Sequence, residues 1–432
     1  MMSSSFQKLG AFFFKHSNIV QRVYKASNYN DEPQLYQYSS QFIDAHSSKA
    51  TDESTASGTS FDRNDALLKL LGETVERYSL GVYNKTALIY KSFNELANNS
   101  ENALNPSELY IPPNFLKSNK ANIKDIKVCW IMGKSLVTNR NILIPAQLVF
   151  VPYVYSKSEP MLQMQISTGA AAGETIYDAI YRGICEIIER DSFMIHYYNK
   201  IHSPRIDLQS LSSKKVSKIA KIFKRYNLEL CVNDITTDIG VPAVVATVID
   251  KTGMGPAICV GLKAGFDMNQ NVIGATEEAL MVRSWVRDEY IYSKSKRVLP
   301  KKISTIEYRA SFWCPLEMIS CLDFWINAKG NKLQHKFTVR RRSSYKEKVI
   351  ELVGKLVSKG YEIVYVDITA PEVRKYGVKV VKVIIPQLQP LHLDEKYPYL
   401  TFSRMYNAPV NMGLFSKSKS LDELNNIPHP FL

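Results

Sequence analysis

Two short stretches of the chain place paired carboxylates beside an arginine at helical spacing. In GETVERYS they are Glu73, Glu76 and Arg77, and in CEIIERDS they are Glu186, Glu189 and Arg190. Carboxylates three residues apart stand one turn apart on a helix, so each stretch presents two of them on one face. Like charges held that close favour protonation unless a cation intervenes. Mg²⁺ fits such a role, because it takes few protein carboxylates and fills its shell with phosphate and water oxygens. The adjacent arginines suit charge-assisted contacts to phosphate. The set is therefore equipped to handle a metal-bound nucleotide; the plainer alternative is two solvated helix faces whose i,i+4 ion pairs contribute roughly a few tenths of a kcal/mol each.

Both stretches belong to a longer repeat. DALLKLLGETVERYS (65–79) overlies DAIYRGICEIIERDS (178–192) at a constant offset of 113 (178 minus 65), with Asp, Ala, both Glu, Arg and the final Ser coincident. Intervening positions keep their character: Leu67 with Ile180, Lys69 with Arg182, Leu71 with Ile184, Val75 with Ile188. The two faces then read Lys69, Glu73, Glu76, Arg77 and Arg182, Glu186, Glu189, Arg190. STGAAAG (167–173) precedes the second copy and permits close backbone approach. No familiar nucleotide motif competes. GKS at 133–135 has Val128 where a P-loop needs glycine, and HExxH, GxSxG and the kinase set are absent. The seven histidines are scattered and read as structural.

The elements that must position these faces follow from pattern and composition. At 432 residues, 45% hydrophobic and 22% charged, the chain has material for two to three domains of about 150 residues or for one large one. Residues 1–55 are polar and end in a linker-like SSKATDESTASGTS, which predicts an N-terminal extension ahead of a domain spanning 56–432, with regular structure from near Asp65. A helix is expected from there to Leu80, a strand pair within IKVCWIMGKSLVTNRNILIPAQLVFVPYVY, and helices over 212–225, 275–290 and 346–359. Strands are expected at LELCVND, VPAVVATVID, YEIVYVDIT and VKVVKVIIP. Without a strict βαβ rhythm, the class is α+β with mixed sheets.

Composition also limits partners and compartment. The six cysteines form no CxxC pair, which argues against a disulfide framework or a zinc knuckle and for a reducing cytoplasm. The N-terminus has only a four-residue apolar run, too short for a signal peptide or a membrane span. The formal charge is +14, but the basic residues are spread, and the densest run, KFTVRRRSSYKEK (336–348), lacks a nucleic-acid fold signature. No nucleic-acid partner is expected.

From about residue 56 to its end, the chain resembles the YcaO superfamily. STGAAAGETIYDAIYRGICEIIERDSF is similar to its central loop and ExxER helix, GETVERYS to its earlier ExxER helix, and ATEEALMVR to its later Ala-rich helix. VNDITTDIGVPAVVATVID and VYVDITAPEVRKYGVKVVKVIIPQLQPL resemble its DxT-containing strands. The resemblance implies a fold in which two similar ExxER helices form a non-P-loop ATP site. By motif, Glu73, Glu76, Glu186 and Glu189 would hold Mg²⁺. Arg190, Arg77 and Arg283 would meet phosphate, with Asp178 and Ser167 also at the nucleotide. The chain departs from the pattern at Thr59, Glu174 and Met281, where the family often has Lys, Asn and Gln. NNIPHPFL resembles the proline-rich tail of SagD-like azoline-forming members, assigning Pro428, Pro430 and Leu432 to catalysis, with Leu432 in place of the last proline. As a terminus of ordinary kind the same tail would fray; its prolines instead favour a stiff polyproline II run.

The implied reaction is ATP-dependent cyclodehydration of Cys, Ser or Thr in a ribosomally made precursor peptide, as in bacteriocin maturation. Implied partners are the precursor peptide, an E1-like protein that binds its leader, and an FMN-dependent azoline dehydrogenase. Two alternatives stay open: another backbone-modifying member that forms thioamides or amidines, and a non-catalytic scaffold subunit.

Overall fold

The computed structural model describes residues 4–16, 18–43, 54–112, 122–156, 158–211, 213–293, 303–328 and 343–432. The start of the basic run at 336–342 and the first half of the linker-like segment, 47–53, lie outside the described residues. The helices are α1 (Ser4–Lys15), α2 (Arg63–Gly81), α3 (Phe93–Asn98), α4 (Ile176–Tyr198), α5 (Lys214–Arg225), α6 (Met268–Ser293), α7 (Ile306–Phe312), α8 (Asp323–Ile326), α9 (Tyr345–Val357), α10 (Pro371–Arg374) and α11 (Ser403–Asn411). The strands are β1 (Val20–Lys25), β2 (Tyr36–Phe42), β3 (Thr55–Ser60), β4 (Ile89–Ser92), β5 (Lys127–Ser135), β6 (Asn141–Pro145), β7 (Ala170–Gly173), β8 (Glu229–Asp234), β9 (Ala243–Ile249), β10 (Ile258–Ala264), β11 (Val364–Asp367) and β12 (Lys379–Ile384). Every strand ladder among the described residues is antiparallel.

The chain divides into two compact units. The first draws on residues 1–27, 36–187 and 342–387, the second on 28–35, 188–341 and 388–432. The first holds the sheet β1-β2-β3 and a six-stranded sheet running β4-β5-β11-β12-β7, with β6 paired to β5. Its core gathers Leu9 and Phe12 of α1, Leu71 and Val75 of α2, Trp130 of β5 and Val364 and Val380 of β11 and β12. Regular structure therefore begins well before Asp65. Strand β2 is Ser-, Gln- and Tyr-rich yet buries Gln37, Ser39, Ser40 and Phe42, which polar composition conceals. Asp62 caps α2 by accepting from the Asn64 and Asp65 N–H groups. Gly58 of β3 lets α2 lie directly on that strand, since a Cβ there would come within 2.2 Å of the Ala66 carbonyl oxygen.

The second unit is built on the sheet β10-β9-β8. All seven residues of β9 are buried, as expected for a strand covered on both faces. Helix α6 packs on β10 and β9. It presses closely at Gly261, where a Cβ would meet the Ala275 carbonyl oxygen at 2.1 Å. The aligned helices α2 and α4 start at Arg63 and Ile176, again 113 apart (176 minus 63).

Candidate functional site: carboxylates on two edge strands

In the first unit, STGAAAG is more than a loop: its last four residues form β7, the outermost strand beside β12, with Ala170 opposite Lys382. Alanine and glycine have little intrinsic preference for a strand, so pairing decides. Gly169 makes the turn into it at φ +88°, and a Cβ there would strike the Val383 carbonyl oxygen. Two predicted glutamates converge on this segment. The Ala172 N–H donates to Glu76 Oε2 (3.2 Å), and the Gly169 N–H donates to Glu186 Oε2 (3.1 Å). Both carboxylates are half-buried. Burial, reinforced by the charges of Glu186 and Glu73, pushes the Glu76 carboxyl up to about 8.

The remaining predicted residues of this unit are placed nearby or committed to neighbours. Glu73 pairs with Arg77 on the outer face of α2 (2.8 Å) and accepts from the Ser57 N–H. Asp178 is buried in the first turn of α4, where its carboxylate accepts from Arg182 Nε (2.8 Å) and the Glu174 N–H. Ser167 is half-buried and its carbonyl accepts from the Ala170 N–H. Thr59 is buried, and Lys69 Nζ donates to its carbonyl (3.0 Å). Motif reading missed Lys382. Its ammonium is buried on β12 and donates to the Ile166 and Thr168 carbonyls (2.6 and 2.7 Å). The run VKVVKVIIP carries two cations, Lys379 and Lys382, and the available signal was that Lys382 sits between valines, while Lys379 stays partly exposed.

The second unit repeats the device on β10, the outer strand of its sheet. The Ala264 N–H donates to Glu189 Oε2 (3.2 Å) and the Leu262 N–H to Glu278 Oε2 (2.5 Å). Residues two apart on an edge strand point their N–H groups the same way, so both carboxylates lie along one edge. Arg190 Nη1 approaches Glu189 (3.2 Å) and its Nη2 lies 3.9 Å from Glu278. Burial pushes the Glu278 carboxyl up to about 7 despite that guanidinium. Glu278 was not singled out from the sequence, although it lies within ATEEALMVR. Arg283, five residues on, is buried and engages Glu32 through Nε and Nη2, Asp250 through Nη2 and the Pro256 carbonyl through Nη1.

The C-terminal tail is packed, not frayed. Pro428, His429, Pro430 and Phe431 are buried and Leu432 is half-buried. Trp313 Nε1 donates to the Pro428 carbonyl (3.1 Å), as does the Tyr197 hydroxyl (3.2 Å), while Arg309 donates to the His429 carbonyl (2.9 Å). The Phe431 ring then lies under the Arg190 guanidinium.

Among the described residues, no three Asp, Glu, His or Cys side chains gather as a preformed metal cage. Mg²⁺ needs none, since it is commonly held by one or two carboxylates plus phosphate oxygens. The fit rests on Glu76: an oxygen donor pressed toward neutrality first by burial and then by the charges of Glu186 and Glu73 gains from an added hard cation.

A model of the YcaO cyclodehydratase family, described as ATP- and Mg²⁺-binding, matches residues 57–389, and the chain belongs to that family. An uncharacterised protein of Methanothermobacter thermautotrophicus is 26% identical over 280 residues, which are 61% of this chain and 66% of that protein. The fold matches a heterocyclase solved in complex with substrate and cofactor (TM-score 0.77, 20% identity, 99% of this chain, 57% of that one). It also matches the YcaO protein of Methanopyrus kandleri bound to AMPPCP and Mg²⁺ (TM-score 0.67, 16% identity, 92% and 93%). The chain thus spans about two thirds of that relative and little more than half of the heterocyclase. No helix among the described residues is long and apolar enough to cross a membrane.

Proposed function

We propose that this protein is an ATP-dependent cyclodehydratase that converts Cys, Ser or Thr residues of a ribosomally made precursor peptide into thiazolines or oxazolines. The substrate side chain gives up its proton and attacks the preceding backbone carbonyl, the resulting oxyanion displaces ADP from the γ-phosphoryl group, and expulsion of phosphate with loss of the amide N–H proton leaves the C=N bond of the ring. Bound Mg²⁺ would neutralise charge on the triphosphate. Glu73, Glu76, Glu186 and Glu189 would hold the metal ions, and Arg190 and Arg77 would contact phosphate, with Asp178 and Ser167 at the nucleotide. Arg283 would reach phosphate only by exchanging Glu32 for it. Transfer of this kind needs positioning and charge stabilisation and no protein nucleophile.

The observation that carries this reading is that each of two repeated helical motifs supplies a glutamate to an edge-strand N–H, with one such carboxyl raised toward neutrality. The ordered tail supports a role for Pro428, Pro430 and Leu432 at the peptide. A leader-binding E1-like protein and an FMN-dependent dehydrogenase are the partners this chemistry would call on. The test incubates the protein with Mg-ATP, a Cys/Ser/Thr-rich precursor and a leader-binding partner. One water lost per ring, localised by tandem mass spectrometry to a Cys, Ser or Thr and the residue before it, supports the reading; an oxygen-to-sulfur exchange (thioamide), a water lost at an amine instead (amidine), or no peptide-dependent ATP hydrolysis, overturns it.

A further inference from the structure

Helix α5 breaks two rules that a solvated surface helix usually keeps. Its sequence, KKVSKIAKIFKR, carries six cations and no carboxylate. Lys214 and Lys215 stand in the first turn, at the positive end of the helix dipole, where acidic side chains are the stabilising choice. Lys214 with Lys218 and Lys221 with Arg225 place like charges at i,i+4, which weakens a helix. All six cations are exposed, and among the described residues none of Lys214, Lys218, Lys221 and Lys224 is ion-paired. Packing does not call for this charge: the apolar side, Val216, Ile219 and Phe223, is buried, and the helix lies against α6 and β8. A local conflict kept without a gain in folding marks a surface with another use. Beside the helix opens a groove of about 610 Å³. Phe223, Leu228, Leu230 and Ile249 give it a buried apolar floor, and its charged rim is Arg205, Lys224, Lys251 and Glu229. Glu229 lies 2.9 Å from Lys251 and 3.9 Å from Arg205, so one carboxylate stands among three cations.

We propose that this groove and the outer face of α5 dock an acidic stretch of the substrate peptide that also carries a bulky apolar side chain, away from the residue being cyclised; calling it substrate rests on the cyclodehydratase reading. Charge complementarity calls for carboxylates on the ligand. The floor calls for an aliphatic side chain among them. The twelve residues of α5 extend about 18 Å, a length that five or six residues of extended peptide, at roughly 3.3 Å each, would cover. That suits a linear segment; a folded partner buries about 800 Å² a side and needs a broader face. A membrane surface would need the apolar side of α5, which is already buried in the protein. A nucleic acid would set phosphates against Glu229 and has no aliphatic side chain for the floor.

The full chain, without ATP, is titrated into a fluorescein-labelled synthetic peptide about six residues long that alternates glutamate with leucine, and anisotropy reads the affinity. The triple variant Lys218→Glu, Lys221→Glu, Lys224→Glu is expected to bind it at least about tenfold more weakly than wild type. Its Tm should not fall, because like-charge pairs on α5 become opposite-charge pairs. Serine for leucine in the peptide should weaken binding about tenfold, and glutamine for glutamate likewise. Glu229→Gln should tighten it about threefold, since Lys251 and Arg205 lose a competing carboxylate. Unchanged affinity in the triple variant overturns the proposal, as does tighter binding of an oligothymidylate or of phosphatidylserine vesicles than of the peptide. The substrate commitment has its own readout. Joining the same sequence to a Cys-containing peptide substrate should lower its KM at least about fivefold at constant kcat in wild type, and leave KM unchanged in the triple variant. An equal KM with and without the segment in wild type overturns that commitment. If no peptide stimulates ATP hydrolysis, the cyclodehydratase reading fails and the substrate commitment with it, while the anisotropy titration still decides whether the groove takes an acidic segment.

Discussion

The guanidinium carbon of Arg190 lies 4.0 Å from the centre of the Phe431 ring, which joins the ExxER helix to the penultimate residue of the chain. Phe431 is buried and Arg190 nearly so, so the cation–π contact contributes about 1–2 kcal/mol. Phe431→Leu keeps an apolar side chain and loses the ring. It is expected to lower peptide-dependent ATP turnover while shifting the unfolding midpoint by only about 1–2 kcal/mol. Phe431→Ala leaves a cavity and should cost about 3–5 kcal/mol. Steady-state kinetics beside denaturant unfolding separate the two, and unaltered turnover in Phe431→Leu would remove the tail from the reaction.

Glu186 and Glu189 lie three residues apart on α4, Glu186 accepting from the Gly169 N–H at the turn into β7 and Glu189 from the Ala264 N–H of β10. Glutamine at either position preserves that acceptor and removes the charge a metal would use. Glu186→Gln and Glu189→Gln are expected to lower Mg-dependent ATP turnover about 10²–10³-fold, the loss typical when one preorganised electrostatic partner is deleted. Their Tm values without metal should stay within a few degrees of wild type. Turnover within about twofold of wild type in both variants would end the proposed assignment.

How far the sequence could be read shows in particular residues. The paired glutamates were legible because a helix converts i,i+3 spacing directly into a shared face, and the helices α2 and α4 start at matching places in the repeat. The hairpin β5–β6 was legible from β-branched and aromatic residues around a turn. Strand β7 was not, since Ala170–Gly173 has no strand preference and is a strand only because β12 pairs with it. Strand β10 was missed because Gly261 and Lys263 interrupt its apolar run. The partner of Arg283 is Glu32, 251 residues away, and no local pattern announces such a pair. The packed tail depends in the same way on Arg309 and Trp313, which spacing alone cannot connect to Pro428.

Glu278 gives a pH dependence whose sign can be worked out. Its carboxyl rises from 4.5 unfolded to about 7 folded, mainly by burial. Between those values the folded state holds the proton more tightly than the unfolded state. Stability from this group is therefore full below about 4.5, falls as pH rises through the window, and is lost above about 7. Glu278→Gln cannot ionise and keeps an acceptor for the Leu262 N–H. It should gain on wild type by roughly 1–3 kcal/mol between pH 4.5 and 7.5. Urea unfolding of both proteins at several pH values checks this, and parallel curves would show that Arg190 fully compensates the buried charge.

Arg283 and Arg287 share Glu32, and each has a second carboxylate, Asp250 and Asp31 respectively. Removing the shared anion leaves two buried guanidinium groups with one carboxylate each, so Glu32→Ala is expected to destabilise the protein by up to about 3–5 kcal/mol. The same geometry separates two roles for Arg283. If it works only in this network, Arg283→Met lowers stability and leaves the KM for ATP unchanged at a temperature where the variant is folded. If it exchanges Glu32 for phosphate during the reaction, Arg283→Met raises that KM, while Glu32→Gln, which weakens the competing anion, lowers it. Measuring KM for both variants distinguishes the roles, because a purely structural arginine cannot shift nucleotide affinity in opposite directions in the two proteins.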